Sequence, residues 1–131
     1  GAWHWNIGNG KSRLDYLPTS SRQSVVDGQW HLLAFAIDSK ANEVRLYHDG
    51  VNVAIYSLNG FDSEAGGSDL FIGGDRLSQL STTGASGELE QAQIWDKKLS
   101  GQEVLGLYKK RFPKADRSEQ SERVDKLKLL S

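Results

Sequence analysis

The chain has 131 residues, and its 16 basic and 17 acidic side chains give a formal net charge of −1. This mixed charge, without a basic patch, predicts no nucleic-acid partner, and the apolar runs are too short for a membrane span. Cysteine is absent, which excludes a disulfide framework and thiolate chemistry. The length is sufficient for one domain with its own core.

The N-terminal part of the chain predicts a hairpin. Residues 3–7 alternate aromatic and polar side chains, as in a strand, and the Gly-Asn-Gly sequence at 8–10 predicts a turn. Residues 13–17 can pair back as a second strand. The polar residues 18–24 are predicted to form a loop.

The next segment predicts the main sheet. The Asp-Gly-Gln-Trp-His sequence at 27–31 leads into residues 30–38, which are apolar on both faces and predict a strand in the interior of a sheet. Residues 43–48 and 52–58 form the arms of a hairpin around the Asp-Gly pair at 49–50. Glycine accepts the positive φ that such a tight turn needs.

Two further strands are predicted between polar loops. A Gly-rich loop at 59–68 precedes a short strand at 69–72, and a long polar loop follows at 75–86. The last predicted strand covers 88–95. Its apolar residues change parity near 90–91, which indicates a bulge.

A helix is predicted after residue 99, where the periodicity changes. Ser100 can cap the helix and Glu103 can complete a capping box, while Leu99 and Val104 can form a hydrophobic staple. Pro113 ends the helix. Many short strands followed by one helix predict an all-β fold, an antiparallel β-sandwich or jelly roll with one short C-terminal helix.

The C-terminal tail has a different composition. Nine of the 18 residues from 114 to 131 are charged and none is aromatic, which predicts a solvated linker or a frayed helix over 114–124. Residues 127–130 alternate like the first strand of another domain. We therefore expect one domain at 1–112 and, at 113–131, a charged linker and the start of a following domain.

Five sequence blocks resemble the laminin G-like (LamG) domain of the concanavalin A-like lectin/glucanase superfamily. The blocks are Gly28-Gln29-Trp30-His31, Leu46-Tyr47-His48-Asp49-Gly50, Leu70-Phe71-Ile72-Gly73-Gly74, Gly87-Glu88-Leu89 through Ile94-Trp95, and Leu99-Ser100-Gly101-Gln102-Glu103-Val104. The resemblance implies a concanavalin A-like jelly roll over residues 1–112. It also implies that the N-terminal strands of the jelly roll are missing or supplied elsewhere.

The acidic and histidine residues argue against catalysis. Glu88 and Glu90 have the spacing of the paired carboxylates in glycosidases of this superfold, but the neutral residues 91–93 follow where such enzymes carry a third acid. A solvent-facing strand is the favoured interpretation. The three histidines lack the spacing of a metal motif, and His31 is interpreted as structural. We predict that the chain itself is not an enzyme.

Trp3 and Trp5 are the aromatic candidates for ligand binding. They would project from one face of a strand, where paired aromatic rings can stack on sugar rings; the competing and favoured interpretation is packing in the core. Trp30 and Trp95 belong to strand blocks and are predicted core residues.

The resemblance further implies a possible Ca²⁺ site, because laminin G-like modules often bind one calcium ion at a sandwich rim through Asp side chains and loop carbonyls. The candidate metal ligands are Asp62, Asp69 and Asp75. Asp75 with Arg76 is the best candidate for a rim position that contacts a ligand. The alternative is that these Asp residues form turns by bonding local amides.

These features predict a non-catalytic binding module of a larger secreted, periplasmic or cell-surface protein. We expect it to recognise a glycan or an extracellular protein through the loops at 59–68 and 75–86, and to adjoin another domain of the same polypeptide. The alternative is a structural spacer or accessory domain of a secreted hydrolase, of the phosphoesterase or glycosidase type.

Overall fold

A computed structural model describes residues 1–61 and 87–114. The described residues belong to two compact units, one formed by 1–61 together with 96–114 and the other by 87–95. The elements, in chain order, are β1 (Trp5–Gly8), β2 (Arg13–Tyr16), α1 (Ser20–Gln23), β3 (Leu33–Asp38), β4 (Glu43–His48), β5 (Val51–Ser57) and α2 (Gly101–Arg111). Within these ranges, no helix is long and apolar enough to cross a membrane.

The antiparallel strands and the C-terminal helix α2 confirm the predicted all-β fold class. Some predicted elements lie outside the described residues. These are most of the loop at 59–68, the strand at 69–72, the loop at 75–86 and the tail beyond residue 114.

The predicted N-terminal hairpin is present as β1 and β2. The two strands pair antiparallel, with Trp5 opposite Tyr16. The Asn9 side chain closes the turn, because its Oδ1 accepts hydrogen bonds from the backbone N–H groups of Lys11 at 3.0 Å and Ser12 at 2.8 Å. Asparagine suits this position because its short amide can replace a backbone acceptor within a turn.

The main sheet has the order β3-β4-β5, with β4 in the middle and all pairs antiparallel. In the register, Leu33 of β3 lies opposite His48 of β4. The predicted turn between β4 and β5 is confirmed, since Asp49 and Gly50 have φ angles of 53° and 79°. Two consecutive positive φ angles are typical of the type I′ turn, which matches the twist of a hairpin.

Gly50 also allows α2 to approach the sheet closely. A Cβ atom at this position would lie 2.9 Å from Cβ of Tyr108 and 3.2 Å from Cα of Leu105. These contacts are shorter than ordinary van der Waals separations, so only glycine fits without movement of the helix.

Each face of the sheet contributes to a buried apolar cluster. One face packs against the β1–β2 hairpin; the residues in this cluster are Val44, Leu46 and Ala54 from the sheet with Trp3, Trp5 and Tyr16 from the N-terminal segment. On the other face, Ala36 and Tyr47 pack against Val104 of α2. The sheet therefore lies between the hairpin and the helix.

The α2 N-terminus has the predicted capping box. Ser100 Oγ accepts a hydrogen bond from the Glu103 N–H at 3.1 Å, and the Glu103 carboxylate accepts one from the Ser100 N–H at 2.7 Å. These reciprocal bonds satisfy two backbone donors that a helix start otherwise leaves unpaired. The helix ends at Arg111, two residues before Pro113.

The prediction that residues 30–38 form a strand in the interior of a sheet is tested only in part, because the predicted strand at 69–72 lies outside the described residues. The strand begins at Leu33 and lies at the edge of the order β3-β4-β5. Its two apolar faces differ: Ala36 packs against α2, whereas Leu33, Phe35 and Ile37 are exposed. The apolar pattern therefore combines a face that packs against α2 with a face on which Phe35 and Ile37 are exposed beside the buried Leu46 and Val44.

Four other predictions differ from the described structure: the strand at 88–95, the core positions of Trp30 and Trp95, and the loop at 18–24. Residues 88–95 contain no strand and are exposed, including Trp95. Trp30 is also exposed, since it precedes the paired part of β3. In the predicted loop at 18–24, Ser20–Gln23 form the single helical turn α1.

Candidate functional site

The predicted site residues divide into two groups. Trp3 and Trp5 lie in the described part of the chain. The others lie outside it: Asp62, Asp69, Asp75 and Arg76. The calcium site and the rim site therefore stay predictions.

Trp3 is held within the packing of the N-terminal segment. Its Nε1–H donates to Oε1 of the buried Gln23 at 2.7 Å, and its ring centroid lies 5.5 Å from that of Tyr16. The Gln23 amide also donates to the Tyr16 hydroxyl at 2.6 Å. Because the polar group of Trp3 is already used inside the protein, its contacts favour the packing interpretation.

Trp5 has a more open position. It is half-buried on β1, and its ring centroid lies 6.1 Å from that of Phe35 on β3, with the rings tilted by 53°. Phe35 is 58% exposed, and its neighbours on the same face, Leu33 and Ile37, are also exposed. We call these four residues the aromatic edge: an apolar surface with two aromatic rings, carried on paired strands.

Glu88 and Glu90 do not form an ordered carboxylate pair. Both are exposed and lie outside any strand. The alternation that would place them on one face is therefore absent from the described structure. A glycosidase needs its two carboxyl groups at a fixed separation, and the local backbone gives these two no such constraint.

A cluster of polar side chains lies where β3 begins and β4 ends. We call His31, His48, Asp49 and Asp27 the histidine cluster. His31 Nδ1 lies 2.9 Å from Asp49 Oδ2, and His48 Nδ1 lies 3.6 Å from the same oxygen. The two imidazole rings stack, with centroids 5.1 Å apart and an interplanar angle of 29°. The β3–β4 register explains this convergence, because it brings the start of β3 beside the β4–β5 turn.

The far nitrogen of each imidazole has its own acceptor. His31 Nε2 lies 2.9 Å from Asp27 Oδ1, and His48 Nε2 lies 3.4 Å from the backbone carbonyl oxygen of Ser24. A carboxylate or a carbonyl can only accept, so both Nε2 atoms donate in these contacts, and His31 Nδ1 carries hydrogen as well when it donates to Asp49 Oδ2 at 2.9 Å. Both Nδ1 atoms therefore face the Asp49 carboxylate.

Asp49 is fixed by the backbone as well. Its Oδ1 accepts a hydrogen bond from the Leu32 N–H at 3.0 Å, and its own N–H donates to the Leu32 carbonyl at 2.8 Å. Burial tends to lower the pKa of His31, but its hydrogen bonds with Asp27 and Asp49 raise that pKa more, and the net shift is upward. The hydrogen bond from His31 in turn lowers the pKa of Asp27.

The sequence interpretation placed His31 among the structural residues and did not link it to His48. The position of the turn between β3 and β4 would have indicated the cluster, because it sets the register of the two strands. Once Asp38 pairs with Glu43, antiparallel counting sets Leu33 opposite His48, and His31 then falls beside Asp49. Motif spacing along the chain does not detect such a cluster, because its members approach each other only through strand pairing.

Comparison with solved structures finds a crystal structure of an S-layer domain-containing protein (residues 221–444) from Clostridium thermocellum ATCC 27405. It shares 17% sequence identity with the chain at a TM-score of 0.44, and the alignment covers 74% of this chain and 45% of that one. The chain thus spans less than half of the length of that structure. No curated protein matches the sequence.

The comparison with protein families is decisive for the fold. A laminin G-type family model, described as Concanavalin A-like lectin/glucanases superfamily, matches residues 1–105. This range includes the β1–β2 hairpin, the β3-β4-β5 sheet and the start of α2. The chain belongs to the concanavalin A-like lectin/glucanase superfamily, as a laminin G-like domain.

Proposed function

We propose that this chain is a non-catalytic carbohydrate-binding module of a larger extracellular or cell-envelope protein, and that it binds sugar at the aromatic edge. The observation that carries the proposal is the contact between Trp5 and Phe35, with ring centroids 6.1 Å apart and Phe35 58% exposed. Membership of a superfamily that contains lectins supports the same class of function.

The geometry of the aromatic edge suits a sugar ring. Aromatic rings offer a large, rigid, apolar area with few rotatable bonds, and the apolar face of a pyranose can lie against such a surface. Leu33 and Ile37 extend the apolar area on either side of Phe35. Because Phe35 lies on a strand paired with β4, little backbone ordering is needed on binding.

The exposed carboxylates support a binding role over hydrolysis. Glu88 and Glu90 are the only acidic pair that the sequence suggested for glycosidase chemistry, and both lie on an exposed segment without a strand. Hydrolysis requires a defined distance between an acid and a nucleophile or base. We therefore propose recognition without bond cleavage.

Calcium belongs to this proposal as a cofactor of the loop residues. Asp62, Asp69 and Asp75 are the ligands we propose, since oxygen donors from adjacent loops suit a hard cation. Sugar binding at the aromatic edge does not require the ion. Measurements with and without calcium therefore separate the two parts of the proposal.

The second candidate is a structural spacer or accessory domain, and the same surface favours it. Leu33, Phe35 and Ile37 form an exposed apolar row, which would also suit packing against another domain of the same polypeptide. In that case the chain would have no glycan ligand, and the aromatic edge would be covered in the longer protein.

A glycan array tests the proposal, once in millimolar calcium and once in chelator. We expect binding of the wild-type chain and loss of at least about 90% of the bound signal in Phe35→Ala. Leu17→Ala is the matched control because Leu17 is an exposed apolar residue outside the aromatic edge, and its signal should equal that of the wild type. Circular dichroism confirms that each variant is folded.

The outcomes separate the candidates. Full binding by Phe35→Ala would reject the aromatic edge as the binding surface. Binding lost in chelator would locate recognition at the acidic loop residues. A folded wild-type chain that binds no glycan in either buffer would reject carbohydrate recognition and favour the spacer.

A further inference from the structure

We propose that His31, His48 and Asp49 form a binding site for a transition-metal ion such as Zn²⁺. One ligand atom from each residue, a ring nitrogen of each histidine and a carboxylate oxygen of Asp49, lies within 4.8 Å of the other two. The inference is independent of sugar binding and of the calcium prediction, which concerns different residues.

The distances between the candidate ligand atoms are close to those around a tetrahedral Zn²⁺ ion, so only small side-chain movements would be needed to bind one. Zn²⁺ binds imidazole nitrogen and carboxylate oxygen at about 2.0–2.2 Å, so ligands of a tetrahedral ion are about 3.3 Å apart. Asp49 Oδ2 lies 2.9 Å from His31 Nδ1 and 3.6 Å from His48 Nδ1, on either side of that value. Three protein ligands leave a fourth position for water.

The surroundings orient the two imidazoles as metal ligands. In metalloproteins, the nitrogen of a ligating histidine that does not bind the metal donates to a carboxylate or a backbone carbonyl. His31 Nε2 has Asp27 at 2.9 Å, and His48 Nε2 has the Ser24 carbonyl at 3.4 Å. Both imidazoles therefore turn the Nδ1 atom toward the same place.

The electrostatics call for a positive charge at this point. With hydrogen on Nε2, a neutral His31 presents a lone pair at Nδ1 directly to the Asp49 carboxylate, which is repulsive. A proton or a metal ion between the two atoms removes the repulsion. The site is partly open to ions, since the side chains of His31 and His48 are 13% and 12% exposed, although that of Asp49 is only 6% exposed.

The donor set selects the class of metal. Two imidazole nitrogens and one carboxylate suit Zn²⁺, Co²⁺, Ni²⁺ or Cu²⁺, whereas Ca²⁺ and Mg²⁺ prefer oxygen ligands throughout. A surface ion pair would not discriminate in this way. Selectivity for Zn²⁺ over Ca²⁺ is therefore part of the proposal.

Isothermal titration calorimetry with Zn²⁺ tests the site. We expect one equivalent of Zn²⁺ to bind the wild-type chain, and His48→Gln to weaken the affinity by at least about tenfold. His4→Gln is the matched control, because His4 also has a carboxylate partner, Asp15 at 3.2 Å, but lies outside the cluster. Titration with Ca²⁺ should give no binding that depends on His48.

Asp49→Asn is a second variant, which should remove the carboxylate ligand without preventing folding. Asparagine tolerates the positive φ of this position and keeps an oxygen for the Leu32 N–H, but it loses the carboxylate charge. We expect a folded variant with at least tenfold weaker Zn²⁺ binding, and weaker visible absorption when Co²⁺ replaces Zn²⁺. Equal Zn²⁺ affinity in wild type, His48→Gln and Asp49→Asn, or no Zn²⁺ binding to the wild type, would overturn the proposal and leave a proton as the only occupant.

Discussion

Replacing Gly50 with alanine should destabilise the protein through two separable effects. The first is backbone strain, because Gly50 has a φ of 79° and a residue with a Cβ in this region costs about 1–2 kcal/mol. The second is a clash, because the new Cβ would lie 2.9 Å from Cβ of Tyr108 and 3.2 Å from Cα of Leu105. Overpacking of this kind costs about 1–3 kcal/mol.

Gly10→Ala isolates the first effect. Gly10 has a φ of 84°, and a Cβ there would meet nothing within 4 Å. We therefore expect a loss of about 1–2 kcal/mol for Gly10→Ala and of about 2–5 kcal/mol for Gly50→Ala. The difference between the two losses is the cost of placing a methyl group between the turn and α2.

Urea unfolding followed by tryptophan fluorescence measures both losses from the same transition. The reasoning requires the Gly50→Ala loss to exceed the Gly10→Ala loss by at least about 1 kcal/mol. Equal losses would show that α2 does not rest on the turn, or that it moves away at no cost. In either case, the close approach of the helix would not explain the glycine.

Three further predictions concern the core, the helix cap and acid stability. Tyr47→Phe should raise the free energy of unfolding by about 1 kcal/mol. The reason is that the buried Tyr47 hydroxyl has no hydrogen-bond partner among the described residues, and a buried polar group without a partner destabilises the folded state. A lower urea midpoint would contradict this prediction. Ser100→Ala should lower the free energy of unfolding by about 1 kcal/mol through loss of the cap, and an unchanged midpoint would count against the capping box. Hydrogen bonds, from Lys98 to Asp38 and from the Ser100 backbone to Glu103, lower the pKa of each carboxyl to about 2. Because these values lie below the ordinary 3.8 and 4.5, the stabilisation is complete above about pH 5 and is lost as the pH falls toward 2. The free energy of unfolding should therefore fall less between pH 5 and pH 2.5 in Asp38→Asn than in the wild type.

The elements that the sequence predicted well are those with local causes. The Gly-Asn-Gly turn, the Asp-Gly turn at 49–50 and the Ser100–Glu103 capping box each depend on residues within a few positions of one another. Their backbone preferences and side-chain hydrogen bonds act before any tertiary contact forms. The structure contains all three.

The position of β3 in the sheet and the histidine cluster depend on pairing between distant segments. An apolar run at 33–37 indicates a strand but not which of its side chains are covered, so the exposed Phe35 was not predicted. The approach of His31 to Asp49 needs the β3–β4 register. The contacts of the half-buried Trp3 with Gln23 and Tyr16 favour packing over ligand binding.

The contact between Tyr47 and Val104 has a consequence for synthesis on the ribosome. Tyr47 lies on the middle strand, yet the helix that covers it begins at residue 101. At about 5–20 residues per second, the sheet exists as a nascent chain for several seconds with that face open to solvent. During this interval Tyr47 and Ala36 have no helix to cover them, and synthesis of α2 supplies the side chain of Val104 that packs against them.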